Sequence, residues 1–325
     1  MKTNSGIVLI LMTALCLGAA ASPLTVISEY NILVFDSMTS TNTGIGGTVA
    51  VGGNAAFVNV VIANGNGADT GVAPPSGPDA VNLQSVGDLS WGSGQLVLGS
   101  GIYGGTGTIT NVTAPDGTIT QGTAPADFFS LESSAVSVSA EYAGLATNGT
   151  TSSAFGNVTL EGTDAVLNVF SIDPLTLDTA NNIAIVVPDG AAVLINITGL
   201  AASFQNAGLT LNGESFNFAT NADAWSEVLW NFNGSGTLAL GGTIFAGSVL
   251  APNGTLTMTN ARVSGQIVAQ NLITGNLQTS EIVDNFAFAG TEIPEPGTFA
   301  MVGLGSLLFL LGRARGERSR RVRRQ

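Results

Sequence analysis

The chain has 325 residues, of which 45 % are hydrophobic and only 10 % are charged, and its formal net charge is −13. Between residues 23 and 312 there is one basic residue, Arg262, against 21 acidic residues, which gives this span a net charge of −20. Such a surface repels phosphate, so the composition argues against nucleic-acid binding and against docking on anionic membranes. The sequence has no histidine and one cysteine, Cys16, which excludes Ser-His-Asp and Cys-His catalysis and zinc sites built from these residues.

Residues 1–21 have the pattern of a secretory signal peptide. Lys2 supplies the positive start, Ile7–Leu17 forms an apolar run, and the small residues Ala19 and Ala21 predict cleavage before Ser22. The mature protein would then contain no cysteine, and no disulfide would stabilise it.

The first part of the exported region consists of short strand-like runs divided by glycine. Tyr30–Phe35 is an apolar run, and Gly pairs at 46–47 and 52–53 separate the next two runs. Residues 64–79 contain mostly Gly, Pro, Asn and Asp, which predicts a loop, and short Gly-divided strands return over residues 81–120.

A single helix is predicted between Pro125 and Leu145. Apolar residues are spaced three and four apart, which places one apolar stripe along the helix: Phe128, Leu131, Ala135, Val138, Tyr142 and Leu145. Four serines weaken its intrinsic helix propensity, so we expect this amphipathic helix to lie on a flank of the remaining structure.

The residues from Leu229 to Leu277 determine the predicted fold class. Gly or Asn recurs every four to seven residues, at Gly241, Gly247, Gly254, Asn260, Gly265, Asn271 and Gly275. Thr, Val, Ile and Leu between these points favour strand, whereas Gly and Asn permit the positive φ of a tight corner. Sides of about six residues predict an all-β, parallel β-solenoid with three sides and about 18 residues per rung. A Gly/Thr-rich β-sandwich is the alternative.

Thr255, Thr257 and Thr259 alternate with Leu256 and Met258, which predicts threonines pointing outward from a strand whose leucine and methionine point inward. A similar T-x-T-x-T pattern occurs over residues 106–110. A flat threonine array is a candidate binding face and can order water as ice-binding surfaces do, although exposed strands often carry threonine for no such purpose.

The acidic residues give no clear catalytic site. Turn propensity accounts for several of them, namely Asp69, Asp79, Asp116 and Asp189, although paired carboxylates for glycoside hydrolysis stay open. Oxygen-rich corners at Asp173, Asp178, Asn181 and Asn182 leave Ca²⁺ binding open beside the alternative of a solvated acidic surface. We predict no catalytic residues, no metal site and no other cofactor.

Residues 291–325 have three parts in tandem. Pro294, Glu295 and Pro296 precede an apolar run of 14 residues, Thr298–Leu311, and seven arginines follow that run. A helix of this length is about 21 Å long, short for a permanent span, so a transient inner-membrane insertion with the arginines held in the cytoplasm is expected. This order resembles the PEP-CTERM sorting signal, which implies cleavage by an exosortase-type processing enzyme and an association with exopolysaccharide.

The intervening region, residues 22–290, resembles the choice-of-anchor A family, a bacterial adhesive domain. The matching segments are EYNILVF (Glu29–Phe35), GTVAVGGNAAF (Gly47–Phe57), VLWNF (Val228–Phe232), GTIFAGSVLAP (Gly242–Pro252), GQIVAQNL (Gly265–Leu272) and VDNFAF (Val283–Phe288). The resemblance implies a surface or matrix role with a polysaccharide or matrix-protein ligand, and it brings no catalytic residues.

These features together predict an exported, non-enzymatic adhesin or structural module of the cell surface or the extracellular matrix. An extracellular carbohydrate-active enzyme and an ice-binding solenoid are the alternatives.

Overall fold

A computed structural model describes residues 29–64, 73–217, 220–275 and 281–284. Short strands bend at tight corners and stack in parallel on the strands of the next rung. Val249 pairs with Ile267, and Leu238 pairs with Leu256, each 18 residues further along the chain. The three-sided parallel β-solenoid and its rung length are therefore confirmed, and the β-sandwich alternative is wrong.

One side of the solenoid, the helix face, contains ten strands. These are β1 (Ile32–Val34), β4 (Val49–Val51), β7 (Val81–Ser85), β10 (Ser100–Tyr103), β13 (Ile119–Gln121), β16 (Leu167–Ile172), β18 (Ala192–Ile197), β22 (Val228–Phe232) and the first halves of β25 (Ser248–Thr259) and β27 (Ile267–Thr274). The two long strands bend around a corner, so the same hydrogen-bonded sheet continues onto the second side.

The second side, the threonine face, contains eight strands. These are β2 (Met38–Thr41), β5 (Ala55–Val58), β8 (Leu89–Trp91), β11 (Gly107–Ile109), β19 (Ala202–Gln205), β23 (Thr237–Gly241) and the second halves of β25 and β27. Their order across the face is β11-β8-β5-β2-β27-β25-β23-β19, with every neighbouring pair parallel.

The third side contains two sheets. The seven-stranded sheet is β3 (Thr43–Ile45), β6 (Val60–Ile62), β9 (Gly94–Leu96), β12 (Val112–Thr113), β24 (Ile244–Ala246), β26 (Arg262–Ser264) and β28 (Glu281–Asp284). The five-stranded sheet is β14 (Thr150–Ala154), β15 (Asn157–Glu161), β17 (Asn182–Val186), β20 (Gly208–Leu211) and β21 (Glu214–Ser215). The second sheet includes two antiparallel pairs, in agreement with a less regular middle of the chain.

The chain does not climb the solenoid in one direction. It begins in the middle with β1, runs outward to β13, and returns along the helix face as helix α1 (Phe128–Ala143). It then builds the other half inward until β27 pairs with β1, where Ile32 lies opposite Ile267. Because α1 has 16 residues, it covers about 24 Å, or roughly five strand spacings. Two short helices, α2 (Pro174–Asp178) and α3 (Ala222–Ser226), lie in the second half.

The predicted apolar stripe fixes α1 on the solenoid. Leu131, Ala135, Val138 and Tyr142 are buried against a column of apolar residues on the helix face, among them Leu229. Burial of these side chains stabilises the helix, which agrees with a marginal intrinsic propensity. The boundaries differ slightly from the prediction: Asp127 caps the helix by accepting a hydrogen bond from the Ser130 backbone at 3.2 Å, and Gly144 ends it.

The interior consists of stacked aliphatic columns filled at intervals by large rings. All three tryptophans are fully buried, and Trp230 packs on Phe245 with ring centroids 4.6 Å apart. The expectation that a low aromatic content implies a core of small side chains alone is therefore wrong. The few large rings are concentrated inside the solenoid.

The corners explain part of the Gly and Asn pattern. The asparagines that turn the chain from the threonine face to the third side all have φ between 51° and 54°: Asn42, Asn59, Asn111, Asn206 and Asn260. Of the predicted corner residues, Asn260, Gly247 and Gly275 have positive φ, whereas Gly241, Gly254, Gly265 and Asn271 do not. Gly265 serves another purpose, because a Cβ there would lie 2.3 Å from the Gly247 carbonyl oxygen of the adjacent rung.

Candidate binding face

The three threonines predicted to point outward lie on β25 in the threonine face. Leu256 and Met258, which alternate with them, are at most 1 % exposed, whereas Thr255 and Thr257 are half-buried and Thr259 is exposed. This alternation follows from the period of two in a strand and fixes which edge of the chain faces solvent. The predicted orientation is confirmed.

Strand pairing continues this array across the whole face. Thr257 lies opposite Ala239 on one side and opposite Ile273 on the other. The same column includes further small side chains in register on the remaining strands: Ser203, Thr39, Ala56, Ser90 and Thr108. Eight outward side chains thus form one row, spaced by about 4.8 Å at each strand.

The second threonine pattern identified in the sequence lies on the same face. Thr108 belongs to β11, five strand positions away from Thr257, so the two patterns are separated by about 24 Å along the solenoid. Thr39 and Thr41, on β2, lie between them and were not singled out from the sequence. The segment Met38–Thr41 shows the same alternation of buried and solvent-facing residues, which was the available signal.

The chemistry of the threonine face is uniform. Its rows contain hydroxyl groups and methyl groups, with Val58 and Ile273 about half exposed, and the paired column carries neither charge nor aromatic ring. The adjacent corner is held rigidly, because Asn59 Nδ2 donates to Asn42 Oδ1 at 2.8 Å between successive rungs. A flat, neutral and rigid surface can adhere over a large area to another regular surface, because each small contact recurs at every rung.

The sequence family agrees with such a surface. The family described as Putative Ice-binding-like adhesive domain matches residues 23–281. The chain belongs to this family. No curated protein matches the sequence.

Solved structures similar to this ice-binding-like adhesive domain include three ice-binding proteins. One is from an Antarctic Biological Consortium, with 14 % identity, a TM-score of 0.32, and coverage of 81 % of this chain and 89 % of that chain. Another is from an Antarctic bacterium, Flavobacteriaceae, with 20 % identity, a TM-score of 0.33, and coverage of 76 % and 62 %. The third, LeIBP from an Arctic yeast, has 10 % identity, a TM-score of 0.29, and coverage of 84 % and 95 %.

Several carboxylates of the adhesive domain have structural partners. Asp116 accepts hydrogen bonds from the backbone N–H groups of Gly77 at 2.6 Å and Gly99 at 3.0 Å, and the Gly99 bond is the larger cause of its lowered pKa. The pKa of Asp173 is lowered because the Thr176 hydroxyl and then the Thr176 N–H donate to its carboxylate at the start of α2. These bonds favour turns and helix starts, as turn propensity predicts.

The Ca²⁺ hypothesis concerns the same region. Asp178 accepts a hydrogen bond from the Ser203 backbone at 2.5 Å, and Thr176 already bonds both oxygens of Asp173. Within the described ranges, no group of three or more His, Cys, Asp or Glu residues is placed to hold a metal ion. Ca²⁺ binding stays a prediction.

The export-related predictions lie outside the described residues. These are the signal cleavage site at Ala19 and Ala21, and the sorting motif Pro294, Glu295 and Pro296 with the apolar run behind it. In the part of the chain that the structure describes, no helix is long and apolar enough to cross a membrane.

Proposed function

We propose that this ice-binding-like adhesive domain is an exported, non-enzymatic module of the cell surface or the exopolysaccharide matrix. In this proposal it adheres through the threonine face. The observation that carries the proposal is the register of Thr257 with seven other outward side chains on parallel strands. Because all eight belong to one sheet, they present small, uncharged groups at a constant spacing.

The size of the face limits how it works. Seven strand spacings give a length of about 34 Å, and three alternate positions on a strand give a width of about 13 Å. The resulting area, on the order of 400 Å², is about half of what each partner buries in a typical stable protein interface. A single face should therefore bind weakly to a small ligand. Strong adhesion requires an extended surface or several modules acting together.

Ice is the second candidate ligand, and a specific observation favours it. Each threonine in the array presents one methyl and one hydroxyl group, and Ala239 and Ile273 add further apolar groups beside Thr257. Such a surface can hold water through hydroxyl groups while it leaves apolar gaps between them. The description of the family as ice-binding-like supports testing this ligand directly.

The export route is part of the proposal. The signal at residues 1–21 directs secretion, and an exosortase-type enzyme cleaves at Pro294-Glu295-Pro296 after transient insertion of the apolar run in the inner membrane. Proline disfavours helix in the preceding residue, so this motif is suited to an extended segment that a processing enzyme can reach. The tail resembles the PEP-CTERM signal, and the domain resembles the choice-of-anchor A family, which supports a matrix location.

The experiment compares wild-type protein with Thr257→Tyr, which places a bulky ring in the middle of the threonine face. Binding is measured to insoluble probes: crystalline cellulose, chitin, fibrillar collagen, and ice grown slowly from the protein solution. Thr159→Tyr is the matched control, because Thr159 is also half-buried on a strand but lies on the third side. We expect at least one probe to retain wild type and the control but to release Thr257→Tyr.

The enzyme alternative requires its own test. Soluble forms of the same polysaccharides are incubated with the protein, and their chain length is followed by chromatography. We expect no shortening. Turnover that disappears after a single carboxylate-to-amide substitution would replace the adhesive proposal with a carbohydrate-active enzyme.

A further inference from the structure

A second site, separate from the threonine face, lies beside the end of helix α1. A groove of about 750 Å³ runs between the residues that follow α1 and the corner where the helix face meets the threonine face. It crosses the rungs of β16, β18, β22, β25 and β27, which supply Ser171, Thr198, Asn233, Asn253 and Gln270 respectively. Four strand spacings give it a length of about 19 Å along the solenoid.

Amide side chains form the polar part of the groove. Asn231 Nδ2 donates to Asn196 Oδ1 at 2.8 Å on the adjacent strand, and this pair is buried beneath the groove. Above it, Asn233 Oδ1 accepts from Ser139 Oγ and from Asn253 Nδ2, each at 3.3 Å. These bonds leave the Nδ2 of Asn233 and the Oδ1 of Asn253 to face a ligand as a donor and an acceptor, one on each of two neighbouring rungs.

The remaining lining fits the same kind of ligand. Hydroxyl groups come from residues such as Thr147 and Ser235, and Leu145 and Leu200 supply apolar walls. Leu200 is 74 % exposed, so it can pack on a ligand without displacing other core residues. Every residue that lines the groove in the described part of the chain is uncharged.

We infer that this groove binds a neutral oligosaccharide, with Asn233 and Asn253 as the residues that contact its hydroxyl groups. Sugar hydroxyls both donate and accept hydrogen bonds, as amide side chains do, and the C–H faces of the rings pack on aliphatic residues. The rung spacing of about 4.8 Å is comparable with the length of one pyranose unit, so successive sugars meet successive rungs. Anionic polymers are disfavoured by the net charge of −20 over residues 23–312.

The test is isothermal titration of the full chain with β-1,4- and β-1,3-linked glucose hexasaccharides and with an oligogalacturonate of similar length. We expect a neutral hexasaccharide to bind at sub-millimolar to millimolar concentration and the oligogalacturonate to bind more weakly. Asn233→Asp keeps the acceptor for Ser139 but removes the amide donor, so it should weaken binding roughly three- to tenfold, as should Asn253→Ala. Ser235→Trp should fill the groove and abolish binding.

The controls separate this site from the threonine face. Thr257→Tyr and Thr159→Tyr should bind the hexasaccharide as wild type does, even where Thr257→Tyr no longer adheres to insoluble probes. Thermal melting confirms that each variant is folded, and Asn233→Asp gives an answer if Ser235→Trp does not fold. Absence of neutral-hexasaccharide binding, unchanged affinity in Asn233→Asp and Asn253→Ala, or tighter binding of the oligogalacturonate would each overturn the inference.

Discussion

Ser139 on helix α1 and Asn231 on strand β22 exchange two hydrogen bonds. Ser139 Oγ donates to Asn231 Oδ1 at 2.6 Å, and Asn231 Nδ2 donates to the Ser139 carbonyl oxygen at 2.9 Å. Both residues are at most 1 % exposed, and Asn196 joins them by donating to the Tyr142 carbonyl oxygen at 2.8 Å. The apolar stripe explains why α1 adheres to the helix face. These directional bonds fix where along the face it rests.

Asn231→Ala should detach α1 locally and destabilise the protein. The substitution leaves the Ser139 hydroxyl and the Asn196 carbonyl group buried without their partner, so we expect a loss of about 2–4 kcal/mol in the free energy of unfolding. Denaturant unfolding measures this loss, and hydrogen exchange should quicken in residues 128–143. Asn253→Ala, on the same corner but half-exposed, should cost less than about 1 kcal/mol. Equal stability of the two variants would show that the exchange with Ser139 does not hold the helix.

The sequence allowed the local features of this fold to be predicted. The spacing of Gly and Asn and the alternation of Leu256 with Thr257 gave the three-sided rung, and the stripe from Leu131 to Tyr142 gave the helix and its position on a flank. Each of these depends on a short-range period that a single strand or helix displays by itself.

The pairing of the first and last rungs could not be predicted in the same way. Ile32 and Ile267 are neighbours only because α1 carries the chain back along the solenoid before the second half is built. The candidate face was incomplete for the same reason, since Thr39 joins Thr257 on one surface through that pairing. Glycine was ambiguous as well, because a positive-φ corner such as Gly247 and a close rung contact such as Gly265 both require the absence of a side chain.

Leu256→Asp tests the register of β25. Leu256 is fully buried, so an aspartate there would be an unpaired charge in the core and should cost several kcal/mol of unfolding free energy or prevent folding. Thr257→Asp, the next residue, should cost less than about 1 kcal/mol because its side chain faces solvent. Chemical denaturation of both variants gives the comparison. Similar losses at the two positions would be inconsistent with the alternation.

Asp116→Asn should reveal a pH-dependent contribution to stability. Hydrogen bonds from Gly99 and Gly77 lower the pKa of Asp116 below 3.8, so the folded state binds its proton less readily than the unfolded state. The stability from this carboxylate is therefore fully present above pH 4 and lost as pH falls through the lowered pKa. We expect Asp116→Asn to be less stable than wild type at pH 7, and the difference to disappear as pH falls below 3.8. A difference that is independent of pH would contradict this assignment.

Between pH 5 and 8 the stability of the wild-type protein should be nearly constant. The sequence contains no histidine, which is the side chain that ordinarily titrates in this range. Thermal melting at pH 5, 6, 7 and 8 in one ionic strength provides the measurement. A midpoint that changes steeply across this interval would indicate a strongly shifted carboxylate that the described structure does not account for.

The mature protein should lack residues 298–325. An apolar run of 14 residues followed by arginines can hold the chain at the membrane during export but is short for a permanent anchor. Intact-mass spectrometry of protein recovered from the extracellular matrix should therefore give a mass that ends near Pro294–Pro296. Peptides from Arg313–Gln325 in stoichiometric amount in that fraction would show that the tail is retained.

Adhesion of the Thr257→Tyr variant tests the central claim most directly. Wild type, Thr257→Tyr and Thr159→Tyr are applied at equal concentration to the insoluble probe that retains wild type best, and the bound fraction is measured over a concentration series. If the threonine face is the adhesive surface, Thr257→Tyr should bind at least about tenfold more weakly, equivalent to about 1.4 kcal/mol, while Thr159→Tyr matches wild type. Equal binding of all three proteins, or a loss confined to Thr159→Tyr, would contradict the account.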